Sequence, residues 1–212
     1  MPGAESILSG AESILHAAPG VEAALAEVAE RLGRVTVQVL AGGRSAGAGV
    51  VWLRSGVVIT NAHVAAGPRA EVVLPDGRAL QARLVARDPG RDLALLAVTT
   101  EGLEPALHVD ARGLRAGELL VALGHPLGVT YAAALGVVHR APTGAGGPAG
   151  WLHADIRLAP GNSGGPLADT QGRVVGINAM IVGGLGIAVP THVVEAFVRE
   201  VEAASRGGAR AA

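Results

Sequence analysis

Residues 160–166 read "PGNSGGP", one serine set among three glycines with a proline at each end. The chain is 50% hydrophobic, yet here the core-building side chains stop. Two readings compete. The stretch is a tight surface turn, or backbone must come very close to another group there and present Ser163 to it. A turn needs a glycine where φ is positive; three around one serine exceed that need.

The flanking residues decide the fold. "GNSGG" satisfies G-x-S-x-G, the strand-to-helix elbow that sets a nucleophilic serine on a parallel sheet, with acid and histidine following later in the chain. Pro166 stands where that helix would begin, and His192 is the sole later histidine. From Val35 to Pro190 the pattern is a series of short β-branched runs instead: "VTVQVL", "GVVWL", "GVVIT", "EVVL", "ALQARLVA" and "LALLAV", then "ELLVALG", "ALGVVH", "WLHADIRL", "RVVGINAMIV" and "LGIAVP". Gly, Pro and Asp separate them, notably "PDG" at 75–77 and "DTQG" at 169–172, and "TGAGGPAG" at 143–150 reads as a loop. About a dozen short strands with turn signals between them predict an all-β sandwich or barrel, not βαβ units.

Both ends read as helical. Val21, Ala24, Leu25, Val28 and Leu32 form one apolar stripe that Gly33 is expected to end. Ahead of it, "GAESILS" is followed at once by "GAESILH", with Ile7/Leu8 and Ile14/Leu15 one heptad apart. This reads as a loosely ordered arm, with a homo-oligomer assembled through it as the alternative. After Pro190, Val194, Phe197, Val198 and Val201 make a second stripe. Glu195/Arg199 and Glu202/Arg206 support it at i, i+4, and Gly207-Gly208 are expected to stop it.

Composition narrows the function. The 17 basic residues are all arginine and scattered, and the formal net charge is −1, so no basic face for nucleic acid is expected. Without cysteine there is neither a disulfide framework nor a thiolate metal site. No histidines stand at metal-ligand spacing, so neither metal nor other cofactor is expected. The N-terminus lacks the basic start and apolar stretch of a signal peptide, and no window resembles a membrane helix. The chain reads as soluble and cytoplasmic, with the periplasm as the alternative if it is a piece of a longer protein.

To act as a nucleophile, Ser163 needs a base to take its proton, a third group to orient that base, and backbone N–H groups aimed at the oxygen that becomes negative. Gly161 can turn its own N–H and that of Ser163 to one point, while Gly164 and Gly165 are read as letting substrate backbone lie close. His63 ends a strand-like run in "ITNAHVAAG" and is the candidate base. In "RDPGRDLALLAV", Asp88 precedes Pro-Gly and reads as a turn residue. Asp92 opens an apolar run, where a half-buried carboxylate could orient an imidazole, and is favoured as the acid.

Together "TNAHV", "RDLALLAV", "APGNSGGPL", "GRVVGIN" and "GIAVP" resemble the chymotrypsin-fold serine proteases, and specifically their HtrA/Deg branch, over roughly residues 35–200. The resemblance implies two six-stranded antiparallel β-barrels with the active site between them: an arm and helix over 1–33, a first barrel over 34–113, and a second barrel with the C-terminal helix over 114–212. It implies a serine endopeptidase of protein quality control that cuts unfolded or exposed polypeptide segments. His63, Asp92 and Ser163 would be its triad, and Gly161, Asn162 and Ser163 its oxyanion loop. By analogy, Leu158, Ile177, Met180 and Ile181 would line a pocket for a medium aliphatic residue; Arg157 is read as pointing to solvent. Asn162 stands where trypsin-like digestive enzymes carry an aspartate that pairs with a freed N-terminus, so activation by trimming is not expected. The alternative is a non-catalytic, chaperone-like or scaffold module that binds unfolded polypeptide.

Overall fold

The computed structural model describes residues 4–125, 131–144 and 147–209, the first sixteen of them (4–19) as backbone only. Helix α1 runs Ala4–Val35. Six strands follow: β1 Thr36–Ala41, β2 Arg44–Leu53, β3 Val57–Thr60, β4 Arg69–Val73, β5 Ala79–Asp88 and β6 Leu93–Val98. A linker containing the 3₁₀ turn Ala111–Gly113 leads to β7 Leu119–Gly124, β8 Ala132–Arg140, β9 Leu152–Ile156, β10 Pro166–Asp169, β11 Val174–Val182 and β12 Leu185–Pro190, and then to helix α2, Thr191–Ala209.

The strands close into two antiparallel barrels. Around the first the order is β1-β2-β3-β6-β5-β4, and around the second it is β7-β8-β9-β12-β11-β10. The second therefore repeats the connectivity of the first. The turns fall where the sequence signals them. At 75–77, Leu74 N–H donates to Arg78 O, and Gly77 takes a φ of 86°. At 169–172, the Asp169 carboxylate accepts the N–H groups of Gln171 and Arg173 at 2.9 and 3.0 Å.

Three cores follow from strand alternation. In β6, Ala94, Leu96 and Val98 fill the first barrel with Val37, Val39 and Val51. Its other face, Leu93 and Leu95, joins Val50, Trp52 and Ile59 in a core shared with Val121, Leu123, Ile177, Ile187 and Val189 of the second barrel. Burial on both faces explains why "LALLAV" has no polar residue to alternate with. The second barrel holds its own cluster around Leu120, Leu152, Leu167 and Val175. Val28 and Leu32 of α1, and Val194, Phe197 and Val198 of α2, seal the shared core at its ends.

Both helices outrun their expected stops. The chain is helical through Pro19-Gly20 and past Gly33 to Val35, and α2 continues over Gly207-Gly208 to Ala209. The cost of glycine in a helix, about 1 kcal/mol, is small against the apolar stripes buried in the shared core. The side chains of the duplicated heptads lie outside the described residues. Among the described residues, no helix is long and apolar enough to cross a membrane.

Candidate active site

Strand pairing brings His63 and Asp92 to one place. Strands β3 and β6 are antiparallel neighbours with Thr60 opposite Ala94. The residues just after β3 and just before β6 therefore leave the barrel at the same rim. There the His63 ring nitrogen Nδ1 lies 2.9 and 3.0 Å from the two carboxylate oxygens of Asp92, and the His63 backbone N–H donates to Oδ1 at 3.2 Å. Asn61, buried, donates its side-chain N–H to the Asp92 carbonyl at 3.0 Å. The Asp92 side chain is 12% exposed and that of His63 is 50% exposed, so a shielded acid backs a reachable imidazole. Asp88 is committed elsewhere, to the backbone N–H and guanidinium of Arg91.

Ser163 sits in the turn before β10, docked on the first barrel. Ala48 of β2 donates its N–H to the Ser163 carbonyl at 2.8 Å, and Thr60 at the end of β3 donates its hydroxyl to the Ala48 carbonyl at 2.6 Å. A β-carbon added at Gly47 would lie 2.6 Å from the Ser163 carbonyl oxygen and 2.8 Å from a Val64 methyl. Ser163 and the residue after His63 thus meet over one glycine. The Ser163 hydroxyl donates to the Ala179 carbonyl on β11 at 3.1 Å, so in this arrangement it points to β11 and not to His63.

The glycines after the serine serve the protein's own packing, which corrects the expectation that they admit substrate backbone. At Gly164, with φ of 85°, a β-carbon would strike the Ala48 carbonyl oxygen at 2.1 Å; at Gly165 it would strike that of Leu123 at 2.2 Å. At Gly164 the two barrels are pressed together, and at Gly165 the turn is pressed against β7 of its own barrel, with no room for a side chain in either place. Gly161 has φ of 107°, a conformation that glycine adopts readily. Its carbonyl accepts the His125 N–H at 3.1 Å, and the Asn162 N–H turns back to Ala159 O at 3.0 Å. Among the described residues neither the Gly161 nor the Ser163 N–H meets a protein acceptor. Asn162 is buried, and its side-chain oxygen has no partner among the described residues.

Of the residues expected to line a pocket, Leu158 and Met180 are half-buried and Ile181 is 52% exposed. Leu158 lies against Gly186, whose β-carbon position is 3.0 Å from its Cδ1. Ile177 is withdrawn from the set: it is 0% exposed and packs in the shared core, because strand alternation turns it inward with Ala179. Arg157 is exposed. Sequence reasoning missed Gly47, Ala48, Thr60 and Asn61, which place the backbones of residues 92 and 163. Asn61 was visible in "ITNAHV", but nothing in that string names its partner.

The family model described as "Trypsin-like peptidase domain" matches residues 47–177. The "Serine protease Do-like HtrA" of Lactobacillus helveticus is 34% identical over 178 residues, covering 74% of this chain and 43% of that protein. A "Probable periplasmic serine endoprotease DegP-like" of Pseudomonas putida is 37% identical over 161 residues, covering 71% of this chain and 33% of that protein. The chain thus spans less than half the length of either relative. Among solved structures, "HtrA-type protease AlgW with decapeptide" superposes with a TM-score of 0.75 at 26% identity, covering 83% of this chain and 66% of that one. With a family model covering more than half of it and two closed six-stranded barrels, the chain belongs to the trypsin-like peptidases and resembles their HtrA branch.

Proposed function

We propose that the chain is a serine endopeptidase of HtrA type that cuts exposed or unfolded polypeptide segments, with Ser163 as nucleophile, His63 as base and Asp92 as its orienting acid. The observation that carries this is the His63–Asp92 pair, closed at 2.9 Å on a rim against which the Ser163 backbone is docked. In the reaction the Ser163 hydroxyl swings from the Ala179 carbonyl to the far nitrogen of His63, loses its proton there and attacks the scissile carbonyl. The Gly161 and Ser163 N–H groups receive the oxyanion. His63 then protonates the leaving amine, and water, deprotonated by His63, releases the acyl-enzyme. Asp92 holds the proton on Nδ1 throughout, which keeps the other nitrogen available as base. Leu158, Met180 and Ile181 would shape a pocket for a medium aliphatic side chain. We place the enzyme in the periplasm, following the printed name of the Pseudomonas relative.

Fluorophosphonate labelling tests the reading. The folded protein should be labelled on Ser163, and the label should vanish in Ser163→Ala. Asp92→Asn should lower kcat by about 10⁴-fold, the scale seen when a triad acid is neutralised. Absence of labelling in folded protein, with a peptide activator present, would leave a polypeptide-binding module instead.

A further inference from the structure

We propose that Arg91 is a positioning residue for Asp92: bridged between Asp88 in its own turn and Glu200 on α2, it holds the conformation from which Asp92 reaches His63, and so ties the C-terminal helix to the acid of the site. The inference rests on the reading of Asp92 as the orienting acid.

Asp92 has φ of 51°. A residue with a β-carbon is rarely left-handed, and such a conformation persists only where its surroundings over-determine it. Besides the His63 N–H and ring nitrogen on its carboxylate, its backbone ties are few. The Asp92 N–H makes a long 3.4 Å bond to Pro89 O, and its carbonyl takes the Asn61 side chain. A further constraint comes from Arg91, one residue before. Asp88 accepts the Arg91 backbone N–H at 3.0 Å and also binds Nε, closing the turn at 88–91. The outer guanidinium nitrogens fork onto Glu200, Nη1 to Oε1 at 3.0 Å and Nη2 to Oε2. The guanidinium carbon lies 5.5 Å from the centre of the Phe197 ring, also on α2. The hydrogen bond from Arg91 holds the Glu200 carboxyl below its ordinary range, so the pair is ionised at neutral pH.

The connection runs between the barrels. Helix α2 leaves the second barrel directly from β12 and reaches back to the turn that carries the first barrel's acid. With side chains 31% and 59% exposed, the Arg91–Glu200 pair adds little to stability. A bidentate fork nevertheless fixes direction as well as distance, and direction is what a carboxylate aimed at an imidazole needs.

Steady-state hydrolysis of a valine-ended peptide by the full chain tests this in Glu200→Gln, Glu200→Asp and Arg91→Ala. Glu200→Gln should lower kcat about 10-fold with KM little changed, since small displacements of a catalytic group cost up to about 100-fold. Glu200→Asp should recover part of the loss, and the melting temperature of Glu200→Gln should stay near that of the parent. Should Arg91→Ala fail to fold, Glu200→Gln decides alone. Unchanged kcat in Glu200→Gln, or a loss that follows only the folded fraction, overturns the inference. Asp92→Asn, measured alongside, separates the two claims. Full activity there sinks the triad reading itself, whereas an inactive Asp92→Asn beside a fully active Glu200→Gln sinks only the tie to α2.

Discussion

The Ala48 N–H donates to the Ser163 carbonyl across 2.8 Å, joining a strand of the first barrel to the turn that opens β10 of the second. Ser163 is therefore located by backbone from the opposite barrel, on the same rim that carries His63 and Asp92.

Gly47 tests how tightly this is set. Its alanine variant must displace the Ser163 carbonyl or the Val64 side chain, which lie 2.6 and 2.8 Å from the new methyl. Gly47→Ala should cost about 1–3 kcal/mol in urea unfolding, as overpacking does. It should also lower kcat/KM about 100-fold, because the nucleophile moves. Full activity would show that this contact does not position the serine.

Leu158, proposed to line the pocket, lies over Gly186. Leu158→Ala should shift preference from valine-ended toward phenylalanine-ended reporter peptides by about 10-fold in kcat/KM, the low end of what a few methylenes discriminate. A preference of the parent enzyme for glutamate-ended peptides would instead implicate Arg157.

His125 gives the fold a dependence on acid. It is buried, neither ring nitrogen has a partner among the described residues, and burial holds its pKa below the ordinary histidine value. The unfolded chain therefore takes up a proton on His125 more readily than the folded one. The associated stability is present above the unfolded pKa, near 6.5, and is lost as pH falls toward the depressed folded value. His125→Leu, which leaves no ring nitrogen to protonate, should show a smaller drop in melting temperature between about pH 7.5 and 5.5. An equal drop in both proteins would remove His125 as a source.

Leu32 reports on α1. It is 1% exposed in the shared core, and Leu32→Ala should cost about 2–5 kcal/mol in urea unfolding. A negligible change would mean that the helix is not packed on the barrels in solution.

Much of the architecture was legible because most strands announce themselves by β-branched runs between turn residues. The exception is β10, "PLAD", which begins with a proline and ends with an aspartate. Pro166 is tolerated at the first position of a strand, but four residues of that composition carry no periodicity. Asp92 could be favoured over Asp88 because an apolar run follows it, and the structure does place it on the imidazole. Ile177 could not be kept out of the pocket, since its inward turn depends on how β11 pairs with β10 and β12 and on the core it shares with the first barrel. The role of Gly164 and Gly165 was hidden for the same reason: the atoms they make room for, Ala48 O and Leu123 O, are more than forty residues away in the chain.

The seam between the barrels is packed as an interior, with Trp52, Ile59 and Leu93 on one side and Leu123, Ile177 and Val189 on the other. An interior of that density does not open like a jaw. Under the proposed function, a client must therefore offer a strand already loose enough to be laid along the outside of the joint. Selectivity for damaged polypeptide would then begin with the client's own frayed segments, before any side chain is read.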